Sequence, residues 1–362
     1  MNIIHLVSNK VWGGGERYVL DLCRYMSAQG HSVAVVSRGI GAVDAPFRAA
    51  GFTPGRLPLG GLFDFISPVR LARVLDRVEA PAVVHVHNFK DARTALRARR
   101  LMADGSKVRV VITRHLVRPA KTDRGHVALY NAADAMIFVS ETALMAFMST
   151  SPAVDRSRLF VVPPAVAAGA PECAESRSDG EFRIVFVGRL HPEKGIDKLL
   201  EAFVGLPDFA MLHIVGSGTP RYEEEYRRMA FTLGISGRVV WHGHVADPLP
   251  LMASAHVGVL PSVQPESFGL AVLEFMQCGV PVVASSGGGP AEIIADGTDG
   301  ILVPPADAAE LHKALSRLCA SPAECAAMGA NAARKAAGKY SYPRFADRIL
   351  EIYGRDTDVT SG

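Results

Sequence analysis

Two carboxylates, Glu266 and Glu274, lie eight residues apart in the segment Pro265-Glu266-Ser267-Phe268-Gly269-Leu270-Ala-Val-Leu-Glu274. A carboxylate accepts hydrogen bonds bidentately from vicinal hydroxyls, so one of the pair can read a ribose and the other a sugar. Between them, Gly269 and Leu270 open an apolar helix, and the N–H groups of such a helix start can receive a diphosphate. Upstream, Gly188-Arg189 and Lys194-Gly195 carry a guanidinium and an ammonium five residues apart across a loop containing Gly and Pro. That pair suits two neighbouring phosphates, Arg as a bidentate clamp and Lys as a point charge. Either carboxylate alone reads equally well as an ordinary N-cap or helix-surface glutamate; the set of four charges is the stronger signal.

A second glycine-rich loop, Trp12-Gly13-Gly14-Gly15-Glu16-Arg17, follows the first apolar run. Its glycines let backbone N–H groups approach a ligand at a helix N-terminus. It is not a dinucleotide fingerprint, because G-x-G-x-x-G would need Gly where Tyr18 stands. The second strand also ends at Ser37-Arg38, without the acidic residue that holds a ribose. No G-x-x-x-x-G-K-[ST] is present, and no D-x-D follows a strand to hold a divalent cation against a diphosphate.

The elements that must position these residues are short β-branched runs alternating with helix-length segments: 3–7, 32–36, 82–86, 108–113, 135–139 and 159–162, then 182–187, 211–215, 239–241, 257–260, 281–284 and 301–303. Such alternation implies parallel sheets covered on both faces. The expected fold is therefore α/β with two doubly wound, Rossmann-like domains. The expected divisions are an N-terminal domain at 1–165, a linker at 166–181, a second domain at 182–338, and a C-terminal helix and tail at 339–362 packing back on the first. That last helix carries Phe345, Ile349, Leu350 and Tyr353 at helical spacing.

The chain has 362 residues, 49% hydrophobic and 21% charged, which excludes a disordered or disulfide-stapled class. Five cysteines form no C-x-x-C pair and read as reduced thiols. The first residues lack a basic n-region and no uncharged apolar run approaches the length of a membrane span, so the expectation is a cytoplasmic protein. The net charge of +3 conceals two opposite halves. Residues 1–165 hold 22 Lys/Arg against 12 Asp/Glu, a balance of +10; the remainder is −7. Much of the excess lies in Arg93, Arg97, Arg99 and Arg100, and in Arg109, Arg114, Arg118, Lys121 and Arg124. This points either to a solvated face or to an anionic partner, a membrane or an anionic acceptor. Nothing in the balance calls for nucleic acid.

Taken in order, Gly13-Gly-Gly-Glu16, Gly188-Arg189, Lys194-Gly195, the Glu266/Glu274 pair and Ala284-Ser-Ser-Gly-Gly-Gly-Pro290-Ala-Glu292 resemble the family 4 glycosyltransferases of GT-B fold over residues 2 to about 353. The resemblance implies a retaining, metal-independent transfer of a hexose or N-acetylhexosamine from a nucleotide-diphosphate sugar, with UDP ahead of GDP and ADP. No cofactor and no metal are implied. Arg189, Lys194 and the Gly269 and Leu270 amides would hold the diphosphate, alongside Ser267 and Phe268. Glu274 would take the ribose, Glu266 the transferred sugar, and Gly14 and Gly15 would close over the diphosphate. His115 matches the family histidine facing the donor sugar, so His115 and Glu266 are the implied catalytic residues, and His87 is a weaker candidate on the acceptor side. The acceptor would be a saccharide or lipid-linked saccharide in lipopolysaccharide or other cell-surface glycan assembly, at the inner face of the cytoplasmic membrane. The base is expected to meet the Gly216-Ser-Gly218 turn and Gly243-His-Val245, and the acceptor loops 38–66 and 115–126. The rival readings are glycosylation of a small molecule, a nucleotide-sugar epimerase or phosphorylase of the same fold, a catalytically dead regulator, and a non-enzymatic sugar-binding protein. A neutral sugar would require neither Arg189 nor Lys194.

Overall fold

The computed structural model describes residues 1–61, 63–166 and 180–355. The expected linker, apart from Val166, Gly180 and Glu181, lies outside the described residues, as do Cys173 and residues 356–362. The chain divides into two compact units, one formed by Met1–Pro164 with Tyr342–Gly362 and the other by Ala165–Ser341. The C-terminal helix therefore completes the first unit.

Both units are parallel α/β layers, as the alternating runs require. In the first, β1 (Asn2–Val7), β2 (Ser32–Ser37), β3 (Gly55–Arg56), β4 (Ala82–Val86), β5 (Val108–Arg114), β6 (Ala135–Phe138) and β7 (Leu159–Val161) form a sheet of order β3-β2-β1-β4-β5-β6-β7. The pattern of apolar runs misses β3, a two-residue edge strand without a β-branched residue. In the second, β8 (Phe182–Val187), β9 (Ala210–Val215), β10 (Val239–Gly243), β11 (Val257–Leu260), β12 (Val282–Ser285) and β13 (Gly300–Val303) take the order β10-β9-β8-β11-β12-β13. In each sheet the order reverses beside the first strand of the unit, β1 or β8. At such a switch point the flanking loops diverge and leave a crevice at the carboxyl ends of the strands.

The central strands are buried because helices cover both faces. Phe186, Leu199, Phe203, Leu212 and Ile214 belong to one core in the second unit. Within β11, Gly258 is needed for packing: a Cβ there would meet the Phe275 ring at 2.6 Å. Its absence lets the helix Leu270–Gln277, which carries Glu274, lie directly on the sheet.

The C-terminal helix Tyr342–Gly354 buries Tyr342, Phe345, Ala346, Ile349, Ile352 and Tyr353, whereas Leu350 is only half-buried. It packs on the helix Gly14–Ala28. The Phe345 and Tyr18 rings are 5.3 Å apart, and the Tyr25 hydroxyl donates to Asp347 at 3.2 Å. The Tyr353 hydroxyl lies 2.6 Å from His85 Nδ1, beneath the sheet. Tyr353→Phe leaves one buried imidazole nitrogen unsatisfied and should cost about 1–3 kcal/mol. Tyr353→Ala should cost about 3–5 kcal/mol by adding a cavity. Urea unfolding followed by circular dichroism measures both, and equal stability of the two variants would show that the hydroxyl, not the packing, holds this helix.

Candidate functional site

In the second unit, the loops leaving β8 and β11 bring two of the predicted charges, Lys194 and Glu266, together. The turn Pro192–Lys194 starts at His191, whose ring nitrogen accepts from the Glu193 N–H, and ends at Gly195 in the left-handed region with φ 67°. A Cβ on Gly195 would stand 2.1 Å from the Pro261 carbonyl oxygen. The Val263 N–H donates to the Glu193 carbonyl at 2.9 Å. With the two loops fixed in this way, the Lys194 ammonium donates to Glu266 Oε1, and the buried Ser262 hydroxyl donates to the same oxygen. An ammonium has three donors. Lys194 can therefore keep its partner and still meet an anion.

Glu266 is itself positioned from the loop after β12. The Gly289 N–H donates to the Glu266 carbonyl at 2.9 Å. A Cβ at Gly288, where φ is 83°, would lie 2.1 Å from that same carbonyl oxygen, and one at Gly289 would lie 2.2 Å from the Phe268 Cα. Two of the three consecutive glycines, Gly288 and Gly289, thus have a mechanical reason, and Ser262 is a site residue that sequence reasoning missed; a serine just beyond the end of β11 was the available signal. Gly269, with φ 96°, begins the helix Leu270–Gln277 without any side-chain cap. Glu274 sits half-buried on its second turn, and Arg189 is exposed beyond β8. Ser267 is half-buried. The Phe268 side chain is buried with its ring 6.1 Å from that of Tyr340, which leaves only its backbone for the expected role. Around the expected base site, the Gly216 N–H already donates to the Gly243 carbonyl and the Gly218 N–H to Glu223.

In the first unit, Gly14 and Gly15 are not loop residues. They are the first two residues of the helix Gly14–Ala28, with Gly13 as an N-cap that has no side-chain bond. Glu16 is buried in that first turn and bonded by the Asn9 amide; burial raises its carboxyl above the usual range. Beneath lies a group of imidazoles on one face of the sheet. His5 Nδ1 is 3.0 Å from His87 Nε2, while His85 Nε2 meets the Thr113 hydroxyl at 2.7 Å. His115, just past β5, is edge-on to Tyr18 with centroids 5.0 Å apart, and 5.8 Å from His87; its Nε2 is buried and unpartnered. His5, His85 and His87 offer ring nitrogens within 4.8 Å of one another, close enough for a metal. Thr113 and Tyr353 already engage both nitrogens of His85, so the geometry is that of a hydrogen-bonded imidazole cluster.

The basic cluster read from the sequence does not form one surface. Arg99 is bound to Asp134 at 2.6 Å and to the Ala132 carbonyl. Arg114 lies 4.7 Å over the Phe147 ring and donates to the Arg118 carbonyl. Their positions are those of fold-stabilising contacts, because a guanidinium stem packs as an apolar group while its head finds carbonyls and carboxylates.

Burial pushes His5 down to about 3 and His115 to about 4, and holds His85 and His87 well below 6.5. All four are neutral in the folded protein near neutral pH, whereas in the unfolded chain each takes up a proton near pH ~6.5. Stability is therefore full above that value and falls as the pH drops from about 6.5 towards 4, at up to about 1.4 kcal/mol per pH unit for each histidine. Asp91 works in the opposite sense below pH 6, because burial pushes its carboxyl up to about 6. Urea unfolding near neutrality and near pH ~5 should show lower stability in acid, with a shallower slope for His5→Gln.

Residues 12–168 match the family described as Glycosyltransferase Family 4, and residues 174–335 match Glycosyl transferases group 1. The chain is 30% identical over 387 residues to the D-inositol 3-phosphate glycosyltransferase of Mycolicibacterium smegmatis, covering 95% of this chain and 86% of that protein. Its fold is similar to that of Anabaena HepE in complex with UDP, with a TM-score of 0.84 at 20% identity over 97% of this chain and 99% of the other. It is also similar to the lipopolysaccharide outer core galactosyltransferase WaaB, with a TM-score of 0.74 at 17% identity over 97% and 99%. With both halves of the chain matched and both sheets in place, the protein belongs to the family 4 glycosyltransferases and has the GT-B fold.

Proposed function

We propose that this glycosyltransferase is retaining and metal-independent, and that it moves a hexose or N-acetylhexosamine from a nucleotide-diphosphate sugar, UDP ahead of GDP or ADP, to a hydroxyl of a saccharide or lipid-linked saccharide in cell-surface glycan assembly. The observation that carries the proposal is the Lys194–Glu266 pair just before the uncapped start of the helix Leu270–Gln277. A cation and a helix N-terminus together favour a diphosphate, and the carboxylate beside them favours sugar hydroxyls. HepE in complex with UDP supports the choice of uridine, and WaaB, a lipopolysaccharide outer core galactosyltransferase, supports cell-surface glycan assembly.

In the proposed chemistry, Arg189, Lys194 and the Gly269 and Leu270 amides receive the charge that develops as the bond between the anomeric carbon and the phosphate oxygen breaks. The acceptor oxygen attacks from the same face. Its proton passes to the departing phosphate oxygen, and the new glycosidic C–O bond forms as the nucleoside diphosphate leaves. Glu266 and His115 position and stabilise the oxocarbenium-like sugar, Glu274 holds the ribose, and Gly14 and Gly15 serve the diphosphate. No residue is assigned as a general base. An anionic phosphate supplies that role, and neutral His115 adds no competing positive charge.

Incubating the full chain with UDP-, GDP- and ADP-sugars, with and without EDTA, tests each clause. Donor binding by calorimetry should weaken about ten- to a hundredfold in Lys194→Ala and Glu274→Ala, as expected for losing charge-assisted hydrogen bonds. Nuclear magnetic resonance of the product should show the donor's anomeric configuration. Loss of turnover in EDTA, an inverted product, or unchanged binding in both variants would each refute the matching clause.

A further inference from the structure

The helix Ile66–Leu75 buries Ser67, Pro68, Leu71, Ala72 and Leu75. Its other face turns Ile66, 55% exposed, Val69, 40%, and Val74, 53%, to solvent together with Arg70 and Arg73. Just before it, Phe63 and Phe65 stand 82% and 70% exposed; just after it, Arg77 is exposed. The helix Phe89–Leu101 packs alongside and extends the same character. Its Arg97 guanidinium lies 5.8 Å over the Phe65 ring, Arg93 is partly exposed, and Arg100 and Leu101 are exposed. Of the acidic residues in this stretch, Asp64 and Asp91 are buried, Asp64 accepting from the Gly60, Ile66 and Ser67 N–H groups, and Asp76 is exposed and accepts from the Ala103 N–H.

Exposed aromatic and branched side chains interleaved with arginines are unfavourable in water without a partner. A soluble anionic acceptor would use the arginines and leave two phenylalanines, an isoleucine and two valines wet. A second copy of the chain would set this basic face against itself, arginine facing arginine. A bilayer carrying anionic headgroups answers both features, since rings and branched chains enter the acyl boundary while guanidinium groups lie at headgroup depth. We propose that this face docks the protein on an anionic lipid surface, with Phe63 and Phe65 inserted and Arg70, Arg73, Arg77, Arg93 and Arg97 at the headgroups. This narrows the membrane expectation to one face, made of residues other than Arg99 and Arg114, and it stands apart from the donor-site reading.

Co-sedimentation of the full chain tests it, using vesicles of phosphatidylcholine alone and of equal parts phosphatidylcholine and phosphatidylglycerol. Binding should be confined to the anionic vesicles and weaken with salt. Phe63→Ser/Phe65→Ser and Arg73→Glu/Arg77→Glu should each lower partitioning at least about tenfold. Arg156→Glu, in the turn just before β7, should leave it unchanged. Unfolding midpoints of the variants should match the parent, and nucleotide release from a soluble donor should persist in all of them. Equal binding to both vesicles, full binding by either double variant, or loss of self-association in place of vesicle binding would overturn the proposal.

Discussion

At several points in the second unit, one backbone lies so close to another that a methyl group cannot fit between them. Gly195 stands against the Pro261 carbonyl, Gly288 against that of Glu266 and Gly289 against the Phe268 backbone, at 2.1–2.2 Å from where a Cβ would sit. Glycine is required at Gly195 and Gly288 twice over, since both also have φ near +70 to +80°. These contacts bring loops from three strands, β8, β11 and β12, into mutual hydrogen bonding. Only because of them do Lys194 and Glu266, 72 residues apart in sequence, meet. The charges themselves do not assemble the site, because the desolvation cost of a largely buried ion pair offsets most of its attraction and leaves too little to hold three loops. The backbone does so, and the charges occupy what it leaves.

The first unit is organised by a different constraint, the desolvation of imidazole. His5 and His85 are adjacent in register on β1 and β4, and His87 follows two residues on, so all three point to one face. The C-terminal helix covers that face with Tyr353. Burial favours the neutral ring, and a neutral ring has one donor and one acceptor. One of the Thr113 and Tyr353 hydroxyls therefore donates to His85 and the other accepts. A segment 268 residues away in the chain is thus needed to satisfy a histidine on a central strand. His115 shares the same surroundings through Tyr18, which ties the sequence candidate for the donor sugar to the C-terminal helix, since Tyr18 also contacts Phe345.

Most of the fold was legible along the chain. Strands such as 82–86, 182–187 and 257–260 are runs of apolar, mostly β-branched residues, and buried parallel strands must be such runs. The two-residue β3 was not legible, because an edge position imposes no apolar pattern. The exact start of the first helix was missed for a related reason: glycine reads as loop, so Gly14 and Gly15 were placed just before the helix that they begin, yet helix N-terminal positions tolerate it. Among the site residues, Lys194 and Glu266 could be named from their types, but their pairing and the role of Ser262 could not. The arginine run divides in the structure in a way that sequence proximity cannot show: Arg99 reaches Asp134, whereas Arg93 is partly exposed and Arg100 exposed.

The sequence by itself determined the fold class, the family, and the kinds of chemistry available: two cations, two carboxylates and glycine-rich helix starts. Local pattern and residue type suffice there, since periodicity and functional groups are properties of the chain. Tertiary structure alone decided which charges meet and which arginines remain at the surface. It also decided which histidines stay neutral, and by which contacts the last helix completes the first unit. Each of those depends on distance and on exclusion from water, and neither exists until residues far apart in the chain are packed together.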